Sequence, residues 1–164
     1  MRFIADGMLG KLTRWLRMLG HDVKYSSELG DKRLIEIAKI EGRILLTRDL
    51  ELYHQATVQR VDSFLVEEET EAEKLAALAK RFGFKLEIDI ALSRCTKCNA
   101  GIRTIAKEKV LERIPNKTAS NYEEFWECDN CNQVYWRGSH WKRIDRTLKE
   151  AQQILEKREN QEAY

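Results

Sequence analysis

The sequence lacks any apolar run approaching the ~20 residues that a membrane span requires. No basic-then-apolar leader opens it, so the expected location is the cytoplasm and no membrane partner is expected. Neither sign of charge dominates: a net charge of +2 is too small to mark a nucleic-acid binder by itself. Asn and Gln are scarce beside abundant Lys and Glu, a compositional hint of a heat-adapted host. Repeats and low-complexity tracts are missing, and cysteine is absent before Cys95. What remains, 43% hydrophobic and 34% charged over 164 residues, suits one ordinary soluble domain with a small appended module.

The late cysteines are paired as Cys95-Thr-Lys-Cys98 and Cys128-Asp-Asn-Cys131. Two Cys-x-x-Cys turns suit one tetrahedral Zn²⁺, because each turn aims two thiolates at the same ion at about 2.3 Å. The rivals are two redox dithiols, expected beside a βαβ unit, and a disulfide framework, which needs an oxidising compartment. The insert between the pairs, residues 99–127, is longer than in an ordinary finger, which points to a zinc ribbon with an elaborated middle. Charge divides in the same place. Residues 1–92 carry a slight acidic excess and residues 93–164 a basic one. The expected organisation is therefore an α/β domain over 1–92, a ribbon over 93–145 and a helical tail over 146–164.

Strand and helix patterns alternate through the first part. Phe3-Ile4-Ala5 reads as a buried strand, and Leu9, Leu12, Leu16 and Leu19 mark one helix face ending at Gly20. Val23–Tyr25 is a short strand, Asp31 to Gly42 a helix, and Ile44–Thr47 a strongly apolar strand. A helical piece near Leu50–Ala56 precedes a strand at Val61–Val66. Thr70 and Glu73 make a capping box for a helix running to Gly83. Such alternation implies a parallel sheet covered on both faces. Arg146–Arg158 reads as an exposed, charge-laced helix.

Ligands gather beyond the carboxyl ends of strands in an open α/β sheet. Asp6 ends the first strand there, Asp49 follows the third, and Asp31 opens the helix between the second and third. Three such carboxylates on one rim offer the hard oxygens that Mg²⁺ or Mn²⁺ takes, and paired ions of this kind cleave phosphodiesters. On spacing alone, Asp31 and Asp49 also read as helix caps. Asp6 is harder to explain so, since a carboxylate after a buried strand is costly without a partner. Thr47 either satisfies a backbone group or serves the metal's water shell. Lys11, Arg14 and Arg17 recur along the first helix as a solvated face or as phosphate contacts.

Two blocks, "FIADGMLGKLTRWLRMLGHDV" and "DKRLIEIAKIEGRILLTRDLEL", strongly resemble the PIN-like ribonuclease domain first described at the C-terminus of the Mut-seven exonuclease. That family was long catalogued as a domain of unknown function. The resemblance runs from Arg2 to about Leu92, and the ribbon "SRCTKCN" to "CDNCNQVYWRGSHW" is its usual companion. It implies a metal-dependent nuclease with an acidic pocket on the carboxyl edge of a parallel sheet. Asp6, Asp31 and Asp49 match the catalytic, Mg²⁺- or Mn²⁺-binding acids, with Thr47 as the accompanying hydroxyl. One departure stands out: PIN nucleases carry another acid on an intervening helix, and only Asp22 and Glu28 lie in that gap here.

Under this resemblance Lys11, Arg14, Arg17 and Arg48, with Arg43, border the pocket and hold RNA phosphates. In the ribbon, Trp136, with Trp126, Tyr135 and Trp141, mingles with Arg137, Lys142 and Arg143, a mixture that suits unpaired bases and backbone. A zinc module with little core also buries Trp for stability, the expected role of Trp126. His140 is expected at the surface, since four thiolates complete a zinc shell. The leading expectation is a metal-dependent endoribonuclease whose structural zinc ribbon grips RNA, ribosomal or transfer RNA among the candidates. The runner-up is a non-catalytic RNA- or ribosome-binding protein that keeps the fold. A phosphoacceptor switch ranks third, for it lacks an acidic pair after the first strand and a partner lysine.

Overall fold

Unbroken burial marks the middle of the sheet. In β1 (Arg2–Ala5), Phe3, Ile4 and Ala5 are all buried, the mark of a central strand covered on both faces. A computed structural model describes residues 1–162 of the chain. In it β1 pairs in parallel with β2 (Asp22–Tyr25) and β3 (Ile44–Thr47), and β3 pairs with β4 (Ser63–Leu65), giving the order β2-β1-β3-β4. Phe3, Ala5 and Leu46 face a core with Leu12 and Leu16 of α1 (Gly10–Met18) and Leu75 and Leu78 of α4 (Glu71–Phe82). Ile4 and Leu45 face the opposite core, with Leu34 and Ile35 of α2 (Asp31–Glu41) and Leu52 of α3 (Leu50–Val58). The expected α/β sheet with helices on both faces is the one observed.

Local signals set the helix ends. Thr70 and Glu73 form the full reciprocal capping box of α4, and Gly83 leaves it at φ 70°. The fourth strand is shorter than the expected Val61–Val66 span, because only Ser63–Leu65 pair with β3. Among the described residues no helix is long and apolar enough to cross a membrane.

The cysteine-bearing segment forms an antiparallel sheet, β5 (Ile102–Ile105), β6 (Phe125–Cys128) and β7 (Val134–Tyr135), in that order. A short helix, α5 (Asn116–Asn121), lies in the insert. Its core is small: Val110, Ile114, Phe125 and Val134. The last helix, α6 (Trp141–Glu162), corrects the expectation of an exposed tail. It begins five residues earlier and packs along α4, burying Leu148 and Ala151 in the first core of the sheet unit. Its charges are confined to the outer face, so the density of Lys and Glu concealed a stripe of apolar positions. Residues 163 and 164 of that segment lie outside the described residues.

A polar joint locks the two units together. Arg17, expected at the nucleic-acid surface, is buried instead. Its guanidinium donates to Val23 O at 3.1 and 2.7 Å, to Thr96 O at 2.9 Å and to Lys97 O at 3.3 Å. From the ribbon, Asn99 accepts from Val23 N at 3.0 Å and donates to Asp22 at 2.7 Å. Arg43, also expected near phosphates, is buried and donates to Phe3 O at 3.1 Å and Asp22 Oδ2 at 3.0 Å. Both arginines therefore serve the fold.

Two outcomes follow. Arg17→Ala strands one buried and two part-buried carbonyls and should cost roughly 2–4 kcal/mol in urea unfolding, and Arg17→Lys should recover little of it. Arg14→Ala, exposed one turn earlier, should change stability by less than about 0.5 kcal/mol. Burial pushes the Asp22 carboxyl up, but hydrogen bonds from Arg43 and Asn99 and the charges of Arg43 and Arg94 outweigh it, lowering the pKa to about 2. That stability is present above the ordinary value of 3.8 and is lost as pH falls through about 2. Acid titration should show a loss on the order of 2 kcal/mol in this window, absent from Asp22→Asn.

Candidate functional site

Parallel strands all end on one rim, and here that rim gathers Asp6, Thr47, Arg48, Asp49 and the start of α2 at Asp31. Asp6 is buried at the end of β1. Its carboxylate accepts from Met8 N at 2.7 Å, Arg48 N at 3.0 Å and the Thr47 hydroxyl. A carboxylate has roughly four acceptor positions, so one on Oδ1 stays open. Thr47 is fully buried, and its hydroxyl also accepts from Asp49 N at 2.9 Å. That single hydroxyl ties the Asp6 carboxylate to the Asp49 backbone. Asp49 caps α3 through Oδ1, accepting from Glu51 N at 2.7 Å and Leu52 N at 3.1 Å, while Oδ2 has no partner among the described residues.

Asp31 corrects the cap reading. Gly30 occupies the cap position and no side chain caps α2. Exposed in the first turn, Asp31 has no hydrogen-bond or ion-pair partner among the described residues and favours the helix dipole. The Asp-Gly-Met-Leu-Gly block brings its loop close to Asp6. A Cβ at Gly7 would lie 3.1 Å from Ser27 Cα, and one at Gly10 would lie 2.8 Å from the Tyr25 hydroxyl. That hydroxyl donates to Gly7 O at 3.0 Å. Of the two acids in the family gap, Asp22 starts β2 at the opposite edge and is held by Arg43, whereas Glu28 lies exposed in the rim loop.

The rim holds an acid that the sequence reading passed over. Val66 N bonds Thr47 O at 2.7 Å, so the chain leaving β4 carries Glu67 out beside Thr47, while Glu68 pairs with Arg158 of α6 at 3.7 Å and Glu69 turns to the Lys11–Arg14 groove. Extending the parallel-strand rule to the fourth strand would have found it. Among the described residues, three or more His, Cys, Asp or Glu ligand atoms converge within 4.8 Å in one place, the cysteine quartet. Asp6, Asp31 and Asp49 share the rim without closing to that degree.

The quartet has the form of a tetrahedral zinc centre. Zn–S bonds of about 2.3 Å imply S···S edges of about 3.8 Å. Cys95 and Cys131 Sγ lie 3.6 Å apart, and Cys98 and Cys128 Sγ lie 3.3 Å apart. Backbone N–H groups of Cys98, Asn130 and Cys131 each reach a sulfur at 3.4 Å, as thiolates require. Each turn closes with an asparagine at positive φ, Asn99 at 71° and Asn132 at 57°. Tyr135 Oη lies 3.0 Å from Cys95 Sγ. The thiols are unevenly poised: burial pushes Cys128 up to about 12, while for Cys98 the backbone donor at Ala100 and its neighbours overcome burial and bring it to about 6. His140 is exposed and lies outside the quartet.

Cationic side chains divide between surface and interior. Lys11 and Arg14 are exposed on α1 and line one groove with Arg143 and Glu69. Arg48 is exposed at the rim, and Lys142 lies on the outer face of α6 beside Asp145 and Arg146. Arg137 lies over the Trp141 ring at 4.8 Å. Trp126, expected to be packed away, is half-buried like Trp136 and Trp141, and all three line a crevice between the two units. Chelation tests the quartet directly: purified protein should carry about one zinc per chain. Removing it should unfold the ribbon and lower the melting temperature of the sheet unit too, because Asn99 and the Thr96 and Lys97 carbonyls lose their places.

Comparison with curated proteins and with solved structures finds no match. The model of the Mut7-C RNAse domain matches residues 1–148. That match takes in the acid-bearing rim, the cysteine quartet and the aromatic crevice, and with it this chain belongs to the Mut7-C RNAse domain family.

Proposed function

We propose that this protein is a Mg²⁺- or Mn²⁺-dependent ribonuclease that hydrolyses RNA phosphodiesters at the carboxyl rim of its sheet. The observation that carries the reading is the Thr47 hydroxyl, which holds the buried Asp6 and the exposed Asp49 in one hydrogen-bonded unit. After the fold has taken its share, Asp6 Oδ1, Asp49 Oδ2 and both oxygens of Asp31 are left as hard donors, with Glu67 nearby on the rim. When bound there, a divalent ion supplies an activated water and neutralises charge on the leaving oxygen. Lys11, Arg14 and Arg48 surround the rim with exposed positive charge for flanking phosphates. The zinc-held ribbon assists by gripping the strand with Trp136, Arg137 and Arg143, while Lys142 faces the outer side of α6.

A second reading is favoured by a specific observation. Asp6 and Asp49 each spend about half of their acceptor capacity on backbone amides, and the three acids do not converge as the cysteines do. A protein that binds RNA without cutting it would keep these caps for stability alone.

Asp31 separates the readings, because it has no partner among the described residues. Asp31→Ala should melt within about 0.5 kcal/mol of the parent yet lose on the order of a hundredfold in Mn²⁺-dependent cleavage of single-stranded RNA. Asp6→Asn is less clean, since an amide nitrogen would face donors from Met8, Thr47 or Arg48; it should lose activity and also about 1–3 kcal/mol of stability. RNA binding with no cleavage by the parent, and no effect of Asp31→Ala, would instead support the non-catalytic reading.

A further inference from the structure

The crevice between the sheet unit and the ribbon has a volume of about 250 Å³. One wall is aromatic: Trp126 from β6, Tyr135 from β7, Trp136 just after it and Trp141 at the start of α6. The other wall is aliphatic, with Met18 of α1 and Ile88 and Ile90 of the connecting segment. Arg14 lies on its border, and the same arginine lines the groove that leads along α1 to Lys11. Lys11 stands two turns above Met18, about 10 Å along the helix, near the rim end.

Ribbon stability does not account for these rings. The alternation of β6 sends Phe125 into the ribbon's own core and turns Trp126 to the opposite face. That core is closed by Val110, Ile114, Phe125 and Val134, with Trp136 packed only against its edge. Trp126 and Trp141 stand outside it. An apolar void of this size is costly in a domain with so small a core, and one of about 150 Å³ already accommodates benzene. The space is that of a flat ring system somewhat larger than benzene.

We propose that the crevice is a subsite for one unpaired nucleobase of an RNA strand whose backbone follows Arg14 and Lys11 towards the rim; this rests on the RNA-directed reading above. A base stacked among indoles with its phosphate on a free arginine satisfies both walls and the charge at the mouth. Arg14 is available, for it is exposed and has no ion-pair or hydrogen-bond partner among the described residues. The hydroxyls on the walls are already committed: Ser93 to the carbonyls of Met18 and Asp89 at 2.6 and 2.9 Å, and Tyr135 to Cys95 Sγ at 3.0 Å. The Trp141 indole N–H donates to Trp136 O at 3.2 Å. What remains are ring faces, the Trp126 and Trp136 indole N–H groups, which only donate, and at the mouth the exposed His140 imidazole. Such a subsite distinguishes an unpaired base from a paired one and reads its identity weakly.

The test uses the full zinc-loaded chain, a single-stranded oligoadenylate and the same strand made abasic, with binding followed by anisotropy and by tryptophan fluorescence. Ile90→Trp fills the crevice, and Trp126→Leu keeps apolar bulk while removing a ring face, so either variant answers if the other fails to fold. The parent should bind the intact strand at least tenfold more tightly than the abasic one and lose tryptophan fluorescence on binding. Both variants should lose that preference while keeping the affinity for the abasic strand, which is set by phosphates. Equal affinity of the parent for both strands, or variants that match the parent, would overturn the subsite. Absence of any RNA binding would overturn it as well and leave the crevice to an apolar peptide. Cleavage is scored separately. A parent that stacks a base but never cuts keeps the subsite and loses the nuclease reading, whereas cutting without base preference does the reverse.

Discussion

One residue of one edge strand carries the joint on which this architecture depends. Val23 offers an outward N–H and C=O at the side of the sheet, the groups through which edge strands recruit unwanted neighbours. Asn99 takes the N–H and Arg17 takes the C=O, and both reach on to the cysteine knuckle. The same hydrogen bonds that close the sheet edge therefore dock the ribbon. Arg17 stays buried because three carbonyls receive its four hydrogen bonds; burial lowers its pKa, and the neighbouring Cys95, Cys98 and Asp22 offset this only in part. A Zn²⁺ with four thiolates bears net negative charge, and a buried guanidinium beside it is the counter-charge that such a centre calls for.

The rim illustrates a different economy. Two of its acids, Asp6 and Asp49, cap the turns that follow them, and each keeps acceptor positions to spare. Thr47 links them, since a buried hydroxyl can donate to one acid while accepting from the backbone of another. Gly7 and Gly10 complete the arrangement by admitting the end of β2 and the Ser27 loop to the same corner. The motif around Asp6 is thus a packing solution as much as a set of functional groups.

Most of the sheet unit was legible because its signals are local. Alternating apolar residues, glycine stops at Gly42 and Gly83 and the Thr70–Glu73 box report directly on neighbouring backbone. The cysteine quartet was legible for the same reason, through two short turns. Arg17 and Arg43 were misread because periodicity assigns a charged residue to a helix face or a strand end without saying what arrives to meet it. Their partners, Thr96 and Lys97 for one and Phe3 and Asp22 for the other, lie 79, 80, 40 and 21 residues away. The last helix was misread because Lys and Glu on its outer face outnumber the few apolar residues that define its inner one. The contribution of β4 to the rim was missed because its exit residues match no motif.

The position of α6 has a consequence for the order of events during synthesis. The ribbon is an excursion: the chain leaves the sheet unit after α4, builds the cysteine module and returns to lay Leu148 and Ala151 against the core it left. Translation delivers the chain from its first residue onward at roughly 5–20 residues per second, and amino-terminal units usually fold as they emerge. Here that unit emerges with one side of its core uncovered and stays so for about sixty residues, through the whole of the ribbon. Closure waits for α6, and a ribbon already tied down at its first end shortens the search that brings α6 back.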